Sequence, residues 1–476
     1  MAVVGAAVRD PERPGFADLI DSIFDSYVNS TTATTPQENR EGDMWRALSG
    51  ALEKALADKE VEDQHAATAA KLWGSSGKLT EQSFWQSRDY LRAIHKRSRQ
   101  TVQAPWTMLG VAFARSLNSV PWNVYYESRI GPTPVNTLIA NVGDSGTGKS
   151  EAWNQINDGF DFHDEYTWST PNEPGSGEGM TDWYMETVKV PDEQGTMRST
   201  QQWRNTNHAH VFLFDEIGSM ESRSGRQGAT LLDTMKSAWS GQSLTRALAS
   251  GVSRELAGRQ YRFCAVVNVQ PGRGQVLFTD AAKQGGLPSR FLFLSTDNPL
   301  AEQEYDDGPK ETYSFRRAIW DGVRKVRALP EMDAAHLRDK FDKTKKDYNT
   351  LNSHLVLTRA KVAVTFMVMD GRTALNTEDW DLAGYVIEHS LQTRDTIVEA
   401  LAKANARQNY AQGKAAGVQK AVSEETAWTR NVERVCAWIV KRRNLEKPAE
   451  ERDLSSRDRQ YYEDAKRLFE ERFPTD

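Results

Sequence analysis

Short apolar runs alternate with glycine-rich turns and helical segments in the middle of the chain, between residues 136 and 300. Runs of this length bounded by turns are typical of buried strands. Before residue 119 and after residue 310, apolar residues recur every three or four positions, as on one face of an amphipathic helix. The pattern predicts an α/β fold in which helical regions flank a parallel sheet. The apolar runs are residues 136–142, 211–214, 261–268 and 291–294.

The same pattern divides the sequence into regions. We predict an N-terminal helical region over residues 1–119, suited to oligomerisation, in which residues 15–29 form a first helix and Pro105 marks a break. A nucleotide-binding core is predicted over residues 120–310, followed by a helical lid over residues 311–402.

The C-terminal part of the chain has three further features. Asn376, Thr377 and two acids precede Trp380, a pattern typical of a capped helix start. Residues 402–424 are rich in alanine, lysine, glutamine and glycine, which favours a linker or an exposed helix. Residues 425–476 are expected to form a small helical module that resembles the start of a winged helix. Its apolar face contains Val432, Val435, Cys436 and Ile439.

Composition excludes several classes of protein. The chain has 476 residues, 38% of them hydrophobic and 26% charged, with a net charge of −6, unlike a membrane protein or a strongly basic nucleic-acid coat. Any nucleic acid must therefore meet a local patch. Cys264 and Cys436 lie in apolar runs without ligand spacing, so we expect no disulfide, no structural zinc and a reducing, cytoplasmic setting. We expect no signal peptide and no membrane span.

The residues after the first apolar run have the spacing of a phosphate-binding loop. Successive backbone N–H groups of such a loop face the phosphates, and residues 151–158 are predicted to form the helix whose positive end adds to this effect. Lys149 would reach the β- and γ-phosphates of ATP, and Ser150 a magnesium ion. The loop consists of Gly143, Asp144, Ser145, Gly146, Thr147, Gly148, Lys149 and Ser150.

The second apolar run ends in two acids, Asp215 and Glu216. Because a buried strand would place them at its carboxyl end, Asp215 is suited to hold Mg²⁺ through its water shell. Glu216 is suited to orient and polarise the water that attacks the γ-phosphate. Downstream of a complete phosphate loop, this pair predicts hydrolysis as well as binding.

Two further strand ends carry candidate catalytic groups. Asn268 ends the third run and is predicted to lie beside the γ-phosphate and the attacking water; capping a turn before Pro271 is the alternative. Arg290 is predicted to be exposed just before the fourth run, where it would not easily reach the nucleotide of its own loop. It is better placed to enter a neighbouring subunit's site and neutralise transition-state charge; a structural salt bridge is the alternative.

Two sets of basic residues are candidates for nucleic-acid contact. Residues 243–256 are predicted to form an inserted β-hairpin whose Arg246 and Arg254 would bind DNA phosphates in a ring's channel, or else lie on an ordinary surface hairpin. A basic stripe in the N-terminal region fits either a phosphate backbone or a solvated helix face. The stripe consists of Arg88, Arg92, Lys96 and Arg99.

The order of these motifs resembles that of the AAA+ ATPases of the hairpin-insert group, which includes the minichromosome-maintenance and superfamily-three helicases. The shared order is phosphate loop, Phe-Asp-Glu, hairpin, strand ending in Asn, and Leu-Pro-Ser-Arg-Phe. Over about residues 80–400 the chain looks most like helicase-like domains of phages, plasmids and integrated elements that are fused to or paired with a primase. Further cues are Phe84-Trp85, residues 175–179, residues 285–293 and residues 370–380.

The resemblance implies a homo-oligomeric ring of six or seven subunits that hydrolyses ATP between subunits and translocates on single-stranded DNA, as the helicase or replication initiator of a mobile element. It implies Asn268 as a first sensor of the γ-phosphate, Arg290 as an arginine finger, and Arg359 as a second sensor, for which Lys361 competes. The hairpin matches loosely, because the group usually has lysine or histidine near a tip that here is Ala-Ser-Gly. A primase or initiator partner would be a separate protein. The rival interpretation is an AAA+ switch or remodeller, for example in a phage-defence complex, without helicase activity.

Overall fold

A computed structural model gives the arrangement of most of the chain after residue 78. Contacts between residues divide the chain into two compact units after Thr396. The predicted first helix over residues 15–29 lies outside the described part of the chain. The described residues are 79–163, 173–174, 176–191, 196–204, 206, 208–216, 231–247, 253–346 and 348–474.

A parallel sheet lies at the centre of the first unit, and its strands are the four predicted apolar runs. They are β3 (Thr137–Val142), β7 (Ala209–Phe214), β10 (Arg262–Val269) and β11 (Phe291–Ser295). Their order in the sheet is β11-β3-β10-β7, and every residue in them is buried. Continuous burial is typical of parallel strands that are covered on both faces. The predicted α/β class and parallel sheet are confirmed.

Smaller sheets surround this centre. In one of them, β1 (Tyr125–Ser128) lies between β2 (Gly131–Pro134) and β13 (Lys325–Arg327). The predicted hairpin is present as the antiparallel pair β8 (Leu244–Ala247) and β9 (Ser253–Leu256). A second hairpin, which the sequence did not predict, precedes β7. The remaining strands are β4 (Phe160–Asp161), β5 (Met185–Pro191), β6 (Met197–Trp203) and β12 (Tyr313–Ser314).

Helices account for most of the other described residues. Those of the first unit before the lid are α1 (Glu81–Gln86), α2 (Asp89–Thr101), α3 (Pro105–Asn118), α4 (Lys149–Gly159), α5 (Thr181–Tyr184), α6 (Leu231–Ser240) and α7 (Asp280–Gln284). Those that follow are α8 (Pro330–Asp342), α9 (Leu355–Met369), α10 (Thr377–Asn444), α11 (Ser456–Arg459) and α12 (Tyr462–Arg472). None of the described helices is long and apolar enough to cross a membrane.

Helix α3 packs directly on the sheet. The break predicted at Pro105 is its first residue, a position where the missing N–H of proline costs nothing. A Cβ on Gly110 would come within 2.7 Å of Leu294 Cδ1 and 2.9 Å of Ile139 Cγ2, so a larger residue here would force these side chains to move. Because α3 is buried along its whole length, contacts do not separate the chain at the predicted boundary between residues 119 and 120. They do not separate it at 310 either.

The basic stripe on α2 is partly a set of buried ion pairs. Arg88 pairs with Asp370, Glu378 and the fully buried Asp379. Since Asp379 also accepts from the backbone N–H of Asn376, the predicted helix start is confirmed and is tied to α2.

At the other end of the stripe, Arg99 is buried and pairs with Glu304, and its Nη1 also donates to Asn298 Oδ1. Arg92 pairs with Asp89 on its own helix. Arg88 and Arg99 are therefore not available to a phosphate backbone.

The second unit is helical over its described residues. Helix α10 runs without a break through residues 402–424, whose described side chains are exposed, so the exposed-helix alternative is correct and the linker alternative is wrong. The predicted apolar face of residues 425–476 is confirmed, because it packs against Leu454, Tyr461 and Ala465. From residue 397 to residue 474 the structure has no strand, so the winged-helix likeness lacks its wing.

Candidate nucleotide site

The phosphate-binding loop connects the carboxyl end of β3 to helix α4, as predicted. Helix α4 begins at Lys149, and Gly148 before it has a φ of +80°, a conformation that favours glycine. Lys149 Nζ donates to the carbonyl oxygens of Gly143 and Asp144 at 2.8 and 2.6 Å. Burial lowers the pKa of Lys149, and the carboxylates of Asp144 and two acids beyond the loop oppose that shift.

The structure brings together three predicted residues from three separate segments. Ser150 Oγ donates to Asp215 Oδ1. Asn268 Nδ2 donates to the same Asp215 oxygen at 3.2 Å and to Ser150 Oγ at 3.4 Å. Because β3, β10 and β7 are parallel neighbours, their carboxyl ends meet at one edge of the sheet. The alternative role of Asn268 as a turn cap is not observed, since its amide nitrogen faces Asp215.

These polar residues could contribute ligands for a magnesium ion. Mg²⁺ prefers six oxygen ligands and is usually held by one or two protein oxygens together with water and substrate phosphates. The hydroxyl of Ser150 and the carboxylate of Asp215 fit this donor set. Among the described residues, no group of three His, Cys, Asp or Glu side chains could hold a metal by itself.

Glu216 is held by a residue that the sequence did not reveal. Its Oε1 accepts from Arg273 Nη1 at 2.5 Å, an ion pair in which the side chains are 47% and 63% exposed. Arg273 lies in a 3₁₀ helix, Pro271–Leu277, that directly follows the strand of Asn268. Its short distance in sequence from Asn268 is the signal that could have found it.

Two other contacts of the site were also missed. The backbone N–H of Asp215 donates to Glu173 Oε1 at 2.8 Å. Gln103, in the turn between α2 and α3, lies so close to the phosphate loop that a Cβ on Gly148 would collide with its Oε1. The N-terminal helical region therefore reaches the nucleotide site, which no local pattern indicated.

Arg290 lies at the opposite edge of the sheet from the phosphate loop. The next residue, Phe291, pairs with Leu138, which is five residues before Gly143 and so about 17 Å from it along the strand. This agrees with the expectation that Arg290 does not reach its own nucleotide.

The side chain of Arg290 is nevertheless not freely exposed, as had been expected. Its Nη1 donates to the carbonyls of Gly285 and Gly286, both at 2.7 Å, and its guanidinium lies 5.4 Å from the centroid of the Trp239 ring. Burial lowers the pKa of Arg290 to about 10, so the group stays charged at neutral pH.

The two candidates for the second sensor are both engaged elsewhere. Arg359 is buried, donates twice to the carbonyl of Trp380 and lies over that ring at 3.7 Å. Lys361 is buried too and donates to the carbonyls of Asn136 and Trp239, at the amino end of β3 and away from the loop. These contacts of Arg359 join α9 to α10, and its role as a second sensor stays a prediction.

The hairpin residues Arg246 and Arg254 are paired in register on β8 and β9. Cross-strand partners point to the same face of a hairpin, so the backbone puts both residues on one face.

Comparisons of the sequence with models of known protein families and with curated proteins give no match. The function is therefore inferred from the residues of the site.

Proposed function

We propose that this protein binds ATP with Mg²⁺ and hydrolyses it, as an AAA+ ATPase of the hairpin-insert group. The observation that carries the proposal is the meeting of Ser150, Asp215 and Asn268 beside the phosphate loop. Binding alone needs only the loop. An acid and an amide beside it supply a metal ligand and a donor for the γ-phosphate, which are the groups that phosphoryl transfer needs.

In the proposed mechanism the loop and Lys149 hold the phosphates, and Ser150 and Asp215 hold the magnesium ion. Asn268 donates to the γ-phosphate or to the attacking water. Glu216 accepts a proton from that water once its carboxylate leaves Arg273. Arg290 acts on the site of a neighbouring subunit in a ring of six or seven, consistent with its place at the far edge of the sheet.

We further propose that hydrolysis drives movement along single-stranded DNA, as in a replicative helicase or initiator of a phage, plasmid or integrated element. Support comes from the resemblance in motif order and from the hairpin β8–β9, which lies between the strands of Asp215 and Asn268. A separate primase or initiator would complete such a system. A switch or remodeller without helicase activity would use the same nucleotide site but would not need the hairpin arginines.

The test is ATP turnover of the full chain with and without single-stranded DNA. We expect DNA to stimulate the wild type, Glu216→Gln to bind ATP without turning it over, and Arg246→Ala plus Arg254→Ala to lose both DNA binding and stimulation. Arg129→Ala plus Arg324→Ala, two exposed arginines outside the hairpin, is the matched control. A wild type that hydrolyses ATP but ignores DNA would favour the switch, and a wild type without turnover would refute the ATPase.

A further inference from the structure

Asn141 on β3 is completely buried, with 0% of its surface exposed. Among the residues that the structure describes, neither its Oδ1 nor its Nδ2 has a hydrogen-bond partner. A buried polar group without a partner destabilises the folded state, and such groups are rare in folded proteins. An apolar residue would be the more stable choice at this position.

The position of Asn141 connects it to the candidate site. It pairs in register with Asn268 on the neighbouring parallel strand. Such strands lie about 4.8 Å apart and their paired residues point to the same face, so the two side-chain amides lie next to each other. Asn268 Oδ1 is also buried and, within the described residues, also without a partner. The opposite end of the same amide is the Nδ2 that faces Ser150 and Asp215.

A side-chain amide presents a donor in one orientation and an acceptor in the other, with almost the same shape. If Asn268 turned over, its Oδ1 would face Asp215 and the oxygens of a γ-phosphate, and like partial charges would repel. A donor on the far side of the amide, bonded to Oδ1, prevents this reversal. The neighbouring Asn141 is placed to supply that donor.

We propose that Asn141 is a positioning residue for the ATP hydrolysis proposed above. Its Nδ2 donates through one bridging water to Asn268 Oδ1 and so keeps the Nδ2 of Asn268 directed at the γ-phosphate. The buried atoms that such a water could bridge are Asn141 Nδ2, Asn141 Oδ1 and Asn268 Oδ1. The inference rests on the proposed ATPase function and adds a residue that does not itself touch the nucleotide.

The test compares Asn141→Leu with the wild type as full chains with ATP and Mg²⁺. We expect kcat to fall about tenfold, the magnitude expected from about 1.4 kcal/mol of transition-state stabilisation. The Kd for ATP should stay within about threefold, because binding depends mainly on the loop and Lys149. The melting temperature should change little, because the variant removes the unpartnered Oδ1 of Asn141 but leaves Asn268 Oδ1 without its donor. Thr137→Val, on the same face at the other end of β3, is the control and should leave kcat unchanged.

A double-mutant cycle distinguishes positioning from a general structural effect. In a chain carrying Asn268→Ala, Asn141→Leu should lower kcat no further, since the amide that it positions is gone. Three results would each overturn the inference. They are an unchanged kcat in Asn141→Leu, an equal loss of kcat from Asn141→Leu in the wild type and in Asn268→Ala, and a fall of both kcat and melting temperature in Asn141→Leu. If the wild type itself shows no ATP turnover, the ATPase proposal fails as well. If the wild type turns ATP over and Asn141→Leu has the same kcat, only this inference is refuted.

Discussion

Replacing Lys361 with methionine tests how a buried amine is accommodated at the amino end of the central sheet. Its Nζ donates to the carbonyls of Asn136 and Trp239 at 2.8 and 2.9 Å and lies 3.4 Å from the centroid of the Trp239 ring. Burial lowers the pKa of Lys361 well below 10.5, and the charges of Arg262 and Arg290 lower it further. Folding therefore shifts the Lys361 amine towards its neutral form, relative to the unfolded chain.

The expected change in stability depends on pH. Methionine has nearly the volume of lysine but cannot donate to the two carbonyls. Each carbonyl left without this donor costs about 1–3 kcal/mol. At a pH where lysine is neutral in both the folded and the unfolded chain, the free energy of unfolding of the variant should therefore be about 2–6 kcal/mol lower. At lower pH the unfolded chain binds a proton at Lys361 that the folded chain does not bind. Stability of the wild type therefore rises with pH between the folded and the unfolded pKa, by about 1.4 kcal/mol per pH unit. Methionine binds no proton, so the stability of the variant lacks this pH dependence. The difference in free energy of unfolding between the wild type and Lys361→Met therefore shrinks as the pH falls, by the same amount per pH unit.

The measurement is urea-induced unfolding of the wild type and Lys361→Met between about pH 7 and pH 10.5, with the slope of free energy against urea checked for constancy. Other titrating groups cancel in the difference between the chains. Lys96→Met, at an exposed lysine, is the control and should show a small difference that does not change with pH. A constant difference for Lys361→Met across this range would refute the reasoning, because the amine would then be charged in the folded chain as well.

Three further substitutions separate the roles of arginines that look alike in the sequence. Arg290→Ala should bind ATP but hydrolyse it poorly. Mixing it with Lys149→Ala should recover turnover, because some sites would then combine an intact loop from one subunit with an intact Arg290 from its neighbour. Full activity of Arg290→Ala alone would contradict its assignment as an arginine finger. Arg273→Ala should raise turnover by up to about fivefold, because it frees the Glu216 carboxylate from an exposed ion pair worth at most about 1 kcal/mol; a fall in turnover would contradict this. Arg359→Met should lower the free energy of unfolding and leave ATP affinity within about twofold, and a large loss of affinity in a well-folded variant would support the second-sensor role.

Local patterns predicted much of the fold correctly. The apolar runs became the strands of the sheet, Pro105 began α3 and Asn376 capped α10, because strand burial and helix ends depend mainly on nearby residues. Contacts between elements distant in sequence were not predicted. Nothing local indicates that α3 lies on the sheet, since that contact requires Gly110 to meet residues from β3 and β11.

In the candidate site, too, local motifs indicate some residues, whereas others are found only from contacts between distant parts of the chain. Lys149, Ser150, Asp215 and Asn268 were all identified from sequence, because each lies in a loop or at a strand end where a motif exposes it. Asn141 lies within an apolar run, and its place beside Asn268 follows only from its register with a strand more than a hundred residues away.

By itself the sequence determined the phosphate loop, the α/β class with its parallel strands, and the polar strand ends, which follow from short-range spacing and from the order of elements along the chain. Only the tertiary structure decided which arginines are available for chemistry. Arg88 is held by three carboxylates, Arg99 and Arg359 are buried in an ion pair or against a ring, and Arg273 reaches Glu216. The physical reason is that a guanidinium has the same charge and length wherever it occurs, so its role depends on the partners that folding brings within its reach.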